Sequence, residues 1–187
     1  MLKSRILTIV LAVGLLGSLA ILATTIGEFH LPGNQQGYEP VQPIAYSHRL
    51  HAGELGIACQ YCHFGAEKSR HAGIPAASVC MNCHKYVTAS FGEMRAQTGT
   101  VTSPELKKLF DAVNGGRPIV WTKVHNLPDF AYFDHRAHAT KGVACQRCHG
   151  PVETMERVRQ FSDLSMGWCV NCHRQENATL DCAACHF

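Results

Sequence analysis

The sequence has no cysteine outside one short motif. All ten cysteines belong to five Cys-x-x-Cys-His runs, so no thiol remains for a disulfide or a lipid anchor. This motif is the attachment signature of c-type haem, in which the cysteines bond the porphyrin and the histidine is the proximal iron ligand. We therefore predict five covalently bound haems c. The predicted thioether cysteines are Cys59, Cys62, Cys80, Cys83, Cys145, Cys148, Cys169, Cys172, Cys182 and Cys185, and the predicted proximal ligands are His63, His84, His149, His173 and His186.

Zinc ribbons and disulfide frameworks also use Cys-x-x-Cys pairs. Neither kind of site requires a histidine directly after the second cysteine, yet that histidine is present in every copy. A Cys-x-x-Cys-Lys variant, which would indicate an iron left open for a substrate, is absent from the sequence. The pattern favours haem, and it favours electron transfer over catalysis.

The small excess of basic side chains does not predict a nucleic-acid partner. The formal net charge of the side chains is +3. Five oxidised haems would each add two propionates and a ferric centre of net charge +1, so the loaded protein would carry about 3 − 10 + 5 = −2. Porphyrins would also supply much of the buried apolar area. We therefore expect a mostly irregular and α-helical fold with little regular secondary structure.

Charged residues are missing from Ile6 to Ile26, a run of 21 residues that is long enough to cross a bilayer as one helix. Lys3 and Arg5 precede the run, which predicts a cytoplasmic N-terminus. A cleaved signal peptide is the competing interpretation, but its cleavage-like residues would lie well inside the apolar run. We predict an uncleaved single-pass anchor in a bacterial inner membrane, with the haem domain on the periplasmic side.

The remaining chain divides by composition and by an internal repeat. We expect an anchor at 1–27, a linker rich in proline and glycine at 28–43, and a pentahaem domain at 44–187. Within that domain, modules at about 44–90 and 125–175 repeat the same order of motifs, and the fifth haem site is a C-terminal addition. Between the modules, Ser103-Pro104 predicts the start of a short helix that ends at Gly115-Gly116, and Ile119–His125 resembles a β-strand.

Each module opens with an aromatic residue followed by a His-x-x-His pair, namely His48 and His51 in the first and His135 and His138 in the second. One iron has a single axial position left after its proximal ligand, so two histidines three residues apart cannot both serve it. We expect the members of each pair to ligate two different haems. His125 and Met155 are the further distal candidates, and a methionine ligand would raise the reduction potential.

The aromatic-x-His-x-x-His segments resemble those of the class III multihaem cytochromes. The fuller set of motifs resembles the pentahaem cytochrome c subunit of alternative complex III, a membrane quinol:electron-acceptor oxidoreductase. The motifs that carry this resemblance are an N-terminal anchor, His51-Ala52-Gly53-Glu54, Ala72-Gly73-Ile74-Pro75, His125-Asn126-Leu127-Pro128-Asp129 and Met166-Gly167-Trp168-Cys169. That resemblance implies partners: an iron–sulfur subunit of molybdoenzyme type, integral membrane quinol-binding subunits and a monohaem cytochrome.

Two functions are compatible with these residues. In the first, a non-catalytic subunit carries quinol-derived electrons through five haems to a periplasmic cytochrome c or copper protein. In the second, the chain is a membrane-anchored multihaem reductase of a small nitrogen or sulfur oxyanion. A reductase needs an open, high-spin iron, whereas an electron carrier has all its irons closed by two protein ligands.

Overall fold

The computed structural model describes residues 2–26, 35–88 and 103–186, with side chains described from residue 5 to 22 in the first of these ranges. The chain divides into two units, at 1–32 and 33–187. The predicted boundaries of anchor, linker and haem domain remain predictions. His30, in the predicted linker, lies outside the described residues.

The first unit contains helix α1, Leu2–Ile26. Arg5–Leu22 forms a window that is long and apolar enough to span a membrane, and none of its side chains is buried in the protein. The Ser18 hydroxyl donates to the Gly14 carbonyl at 2.9 Å, so this polar group is satisfied within the helix. By length and composition, α1 is a candidate membrane anchor.

The second unit is a series of short helices joined by turns and irregular segments, as expected for its fold class. Several of these helices carry one of the five motifs. In chain order they are a π-helix at Arg49–Glu54, α2 at Cys59–Cys62, α3 at Ala77–His84, α4 at Pro104–Asn114, α5 at His135–Ala139, α6 at Gln146–His149, a 3-10 helix at Val152–Thr154, α7 at Met166–Gln175 and a second 3-10 helix at Cys182–Ala184.

Helix α4 confirms the helix predicted after Ser103. The Ser103 hydroxyl caps it by accepting from the Leu106 amide, and Pro104 occupies its first turn. Helix α4 packs against α3, and its Leu109 side chain is buried. Among the described residues, Leu109 and Met155 are the buried apolar side chains, so polypeptide alone fills very little core.

The described residues contain no β-strand, and the strand predicted at Ile119–His125 is wrong. The segment has no regular secondary structure and no partner strand. Instead, the Gln42 side chain accepts from the Thr122 amide and donates to the Thr122 carbonyl, both at 2.9 Å. The Gln42 side chain thus makes the pair of backbone hydrogen bonds that a neighbouring strand would make. A single isolated bridge, Ala131 to His186, occurs elsewhere in this part of the chain.

Candidate haem-binding sites

Each of the five motifs folds into one turn of helix or lies at a helix end. This geometry places the two cysteines on the same side of a short helix and sends the histidine beyond them. All ten thiols are free, and several are partly exposed. Within the described ranges no three His, Cys, Asp or Glu side chains converge as they would around a metal ion. A zinc ribbon would gather four such side chains around one ion.

Four of the five motif histidines have the Nδ1 nitrogen against a backbone carbonyl. The partners are Gly73 O for His63 at 2.6 Å, Val87 O for His84 at 2.9 Å, Thr179 O for His173 at 2.7 Å and Phe130 O for His186 at 3.2 Å. A carbonyl can only accept, so each ring must carry its proton on Nδ1. The Nε2 nitrogen is then deprotonated and available to a metal.

His149 is the exception, because its Nδ1 faces another imidazole. The Nε2 atom of His125 lies 3.2 Å away, and the two ring centres are 4.4 Å apart in an edge-on arrangement. Burial, with the neighbouring His125 and His135 as the next causes, lowers the pKa of His149 to about 3. Burial likewise lowers the pKa of His125 to about 4, with His135 as the second cause. Both rings are therefore neutral at pH 7, as a metal ligand must be.

Three histidines of the repeated pairs lie opposite a motif histidine. The ring centres are 6.1 Å apart for His51 and His84, 6.3 Å for His135 and His149, and 6.0 Å for His138 and His173. The rings of His135 and His149 are nearly parallel, at 10°. The two members of the second pair therefore face different motifs, and His51 of the first pair faces the second motif.

This spacing fits one metal ion between two imidazoles. Metal–imidazole bonds are about 2 Å long, as they are for zinc, so two such ligands on opposite sides of one ion have ring centres about 6 Å apart. The facing histidines also have their Nδ1 atoms against carbonyls, of Ser47 for His51, Arg70 for His135 and Asp134 for His138, at 2.8 to 2.9 Å. Both rings of a pair can thus present Nε2 to an iron bound in a haem.

His48 differs from its counterpart His135. Its Nδ1 is buried, and it has no hydrogen-bond partner within the described part of the chain. Burial lowers the pKa of His48 to about 4, and the next causes are His63 and His51, so His63 is a close neighbour. Met155 is buried and offers its carbonyl to the Arg49 amide. The structure thus places Met155 beside the first pair.

The aromatic residue before each pair supports both histidines in the same way. Tyr46 meets His48 edge-on and stacks on His51, with ring centres 4.9 and 4.4 Å apart. In the second module, Phe133 meets His135 edge-on at 4.8 Å and stacks on His138 at 4.6 Å. The duplication read from the sequence is therefore a duplication of local structure.

Sequence reasoning missed the groups that orient the rings. Most are backbone carbonyls in loops, which leave no residue-type signature. The sequence also does not predict the contact between His125 and His149, because it suggests only the role of distal ligand for a histidine outside the motifs. The aromatic residue before each pair was visible in the sequence as a repeated feature.

Comparison with known proteins agrees with this geometry. Residues 131–187 match the family described as cytochrome c7 and related cytochrome c. This match and the five motifs support a multihaem c-type cytochrome. It is also 26% identical over 171 residues to the menaquinone reductase multihaem cytochrome c subunit of Nitratidesulfovibrio vulgaris, a match that covers 78% of this chain and 76% of that protein.

Both matches are to cytochromes c, and they support electron transfer through covalently bound haem. The family match covers the second His-x-x-His pair and the last three motifs. The longer match covers most of the chain and so extends the likeness beyond that region. Both agree with the ring pairs that the structure places in each half of the haem domain.

Proposed function

We propose that this multihaem cytochrome carries five haems c and works as the electron-transfer subunit of a membrane-bound quinone-linked complex. The observation that carries the proposal is the set of imidazole pairs about 6 Å apart, each joining a motif histidine to a histidine of a repeated pair. An iron between two such rings has no open position. Bound haem would supply the one-electron redox chemistry.

The protein residues hold and orient the sites. The motif cysteines would form the thioether bonds, and the loop carbonyls keep the proton of four of the five proximal rings on Nδ1. We assign His51, His135 and His138 as distal ligands opposite His84, His149 and His173. By the equivalence of the two modules, His48 is the distal ligand opposite His63.

The fifth site, at His186, has a different neighbourhood. Its ring lies 5.9 Å from that of Phe130, whose carbonyl faces its Nδ1. His125 and Met155 remain predicted distal ligands, but the contacts that the structure describes bring His125 to His149 and Met155 to the first pair rather than to this site. Replacing the true ligand should turn one low-spin iron high-spin, so a visible spectrum of His125→Ala and of Met155→Leu distinguishes the two.

The partners follow from the resemblance to the pentahaem subunit of alternative complex III. We propose that α1 spans the inner membrane with its N-terminus in the cytoplasm and that the haem domain lies on the periplasmic side. There it would meet an iron–sulfur subunit, integral membrane quinone-binding subunits and a monohaem cytochrome. A periplasmic cytochrome c or copper protein would accept the electrons. No nucleic acid takes part.

A second candidate function reverses the direction of electron flow. The similar protein from N. vulgaris is described as a subunit of a menaquinone reductase, so its complex passes electrons to quinone. The same chain of haems could serve either direction, because direction depends on the potentials of the donor and the acceptor. The quinol-oxidising assignment and the quinone-reducing one therefore share every residue role given above.

Membranes that contain the intact complex distinguish the two directions. A quinol added anaerobically should reduce the haems promptly if the complex oxidises quinol, and a quinone-site inhibitor should block this reduction. A quinone-reducing complex should instead have its haems reduced by a periplasmic donor and reoxidised by added menaquinone. Haems that respond to neither quinol nor quinone in these membranes would contradict the proposed function.

A further inference from the structure

The two modules pack against each other through equivalent backbone contacts. The Arg49 amide donates to the Met155 carbonyl at 2.9 Å, and the Arg136 amide donates to the Ser69 carbonyl at 3.2 Å. Arg49 and Arg136 hold the same place in the repeated pairs. The acceptors are also equivalent, since Met155 follows His149 by six residues and Ser69 follows His63 by six. The segment with the His-x-x-His pair of each module thus contacts the loop that follows the first motif of the other module. The two contacts are reciprocal.

Side chains reinforce one of these two contacts. Arg49 forms an ion pair with Glu156 at 2.5 Å and another with Glu54. Gly53 lies directly against the Glu153 carbonyl, so closely that a Cβ atom at residue 53 would collide with that oxygen. The π-helix of the first module therefore rests on the segment that follows the third motif.

The first and third motifs meet where the two modules join. Burial raises the pKa of the Cys145 thiol, and the neighbouring Cys59 thiol raises it further. These cysteines are the first members of their motifs and hold equivalent places in the repeat. Contact between two equivalent residues is what a local two-fold axis produces, because only groups near the axis approach their own counterparts.

Within each module the first motif contacts the second through another equivalent residue. The Tyr61 hydroxyl accepts from the Asn82 side chain at 3.0 Å, which joins the first and second motifs. Arg147, the counterpart of Tyr61, forms an ion pair with Glu176 at 3.3 Å, three residues after His173.

The fifth motif also contacts the second module. Burial raises the pKa of the Cys169 thiol, and the neighbouring Cys185 is the next cause. The Tyr132 amide donates to the Cys185 carbonyl at 2.7 Å. The bridge between Ala131 and His186 fixes the same motif to the segment that precedes the second pair. Contacts of this kind connect the fifth motif to the second module.

We propose that the modules are related by a local two-fold axis through the first and third motifs, so that the haem sites follow the order second, first, third, fourth, fifth. This order differs from the order along the chain, and it rests on the proposed five-haem function. The two ends of the series are then the site at Cys80–His84 and the site at Cys182–His186. Partner proteins that deliver or collect electrons would contact these two ends, whereas the junction of the modules holds the middle of the path.

Proton NMR of the reduced, full-length protein in detergent tests this order directly. Reduced low-spin haem is diamagnetic, so the thioether methyl protons give resolved signals and cross-peaks to near neighbours. Signals are assigned from Cys→Ala variants of single motif cysteines, each of which removes one thioether. We expect a cross-peak between the thioether methyl groups at Cys59 and Cys145. A protein with five haems that lacks this cross-peak, or that connects the first site to the fourth or fifth instead, would overturn the proposed order.

Two glycine variants probe the contact between the modules. Gly53→Ala forces the π-helix away from Glu153 and should weaken or shift the Cys59–Cys145 cross-peak. Gly167→Ala is the matched control, because its nearest atom, Ser165 Oγ, lies 3.9 Å from the added Cβ, and the cross-peak should persist. An unchanged cross-peak in a folded Gly53→Ala protein would contradict the docking contact. The intact mass of the same samples gives the haem count, so a failure of the five-haem proposal is seen separately from a failure of the order.

Discussion

At the residue scale, each predicted haem site depends on which nitrogen of the histidine ring is free to bind iron. A proximal histidine and a distal histidine differ in their position in the sequence, but both have the Nδ1 atom against a hydrogen-bond acceptor in most pairs. The sequence predicts the proximal residues from the motif alone. It suggests the distal residues through the repeated pairs, but it cannot assign partners to them, because that depends on how loops far apart in the chain fold together.

His138→Ala tests the assignment of distal ligands. We expect five covalently attached haems, because attachment depends on the cysteines, but one of the five irons should become high-spin and bind carbon monoxide. His51→Ala in the first module should behave in the same way, since its ring faces His84 as that of His138 faces His173. Visible spectra with and without carbon monoxide measure the change. The control is His71→Ala, an exposed loop histidine, and a wholly low-spin His138→Ala protein would contradict the assignment.

At the scale of elements, the sequence predicts local structure well where the signal is local. The cap and the proline at the start of α4 identify that helix, and the structure begins it at Pro104. The strand predicted at Ile119–His125 fails because pairing requires a partner, and the partner here is one glutamine side chain. Contacts between the modules cannot be predicted from the sequence either, because the backbone amides and carbonyls that make them can belong to any residue type.

Leu109→Ala tests the packing of α4 on α3. Leu109 is one of the few buried apolar side chains in the described residues, so its truncation should lower the free energy of unfolding by about 2–5 kcal/mol. The loss should appear as a lower denaturation midpoint, with the haem count unchanged. Lys107→Ala on the exposed face of the same helix is the control and should shift the midpoint little. A Leu109→Ala protein as stable as the wild type would refute the packing.

Glu105 connects the start of α4 to the segment at Ala45, and it should make stability depend on acid pH. Its carboxylate accepts from Lys108 at 2.7 Å and from the Ala45 amide at 2.6 Å, and both bonds lower its pKa, the one to Lys108 most. The folded state therefore holds the proton less tightly than the unfolded state. This contribution is present above the ordinary carboxyl pKa of 4.5 and is lost as the pH falls through the lower folded value.

Glu105→Gln should remove that dependence. The variant should be slightly less stable than the wild type at neutral pH, and the difference should shrink below pH 4.5 as Glu105 becomes protonated in the wild type. Denaturation midpoints measured across this range give the comparison. Asp111→Asn, which alters a neighbouring ion pair on the same helix, is the control. A difference that grows as the pH falls would contradict the sign of the effect.

At the scale of the whole molecule, composition predicts how little polypeptide core there is. Two buried apolar side chains among the described residues could not stabilise a domain of this length, so bound porphyrin must supply much of the buried surface. The sequence also predicts the apolar helix at the N-terminus, which the structure places at Leu2–Ile26. It does not reveal the spatial order of the motifs, because that order follows from contacts between the two modules.

Alkaline carbonate extraction of membranes tests the role of α1. A chain held by an uncleaved spanning helix should stay in the membrane pellet, because apolar side chains over the length of a bilayer hold it there. A variant that starts after residue 27 and is exported by a cleavable signal should appear in the supernatant, provided that its other partners are absent. Release of the full-length chain by carbonate would contradict the anchor.

The most direct test of the account is the intact mass of the purified full-length protein under denaturing conditions. Thioether-bound haem survives denaturation, whereas zinc and non-covalent haem are lost. We predict a single mass equal to that of the polypeptide plus five haems, because each of the five motifs supplies both cysteines. A mass equal to that of the bare polypeptide, or to the polypeptide with fewer than five haems in a fully matured sample, would contradict it.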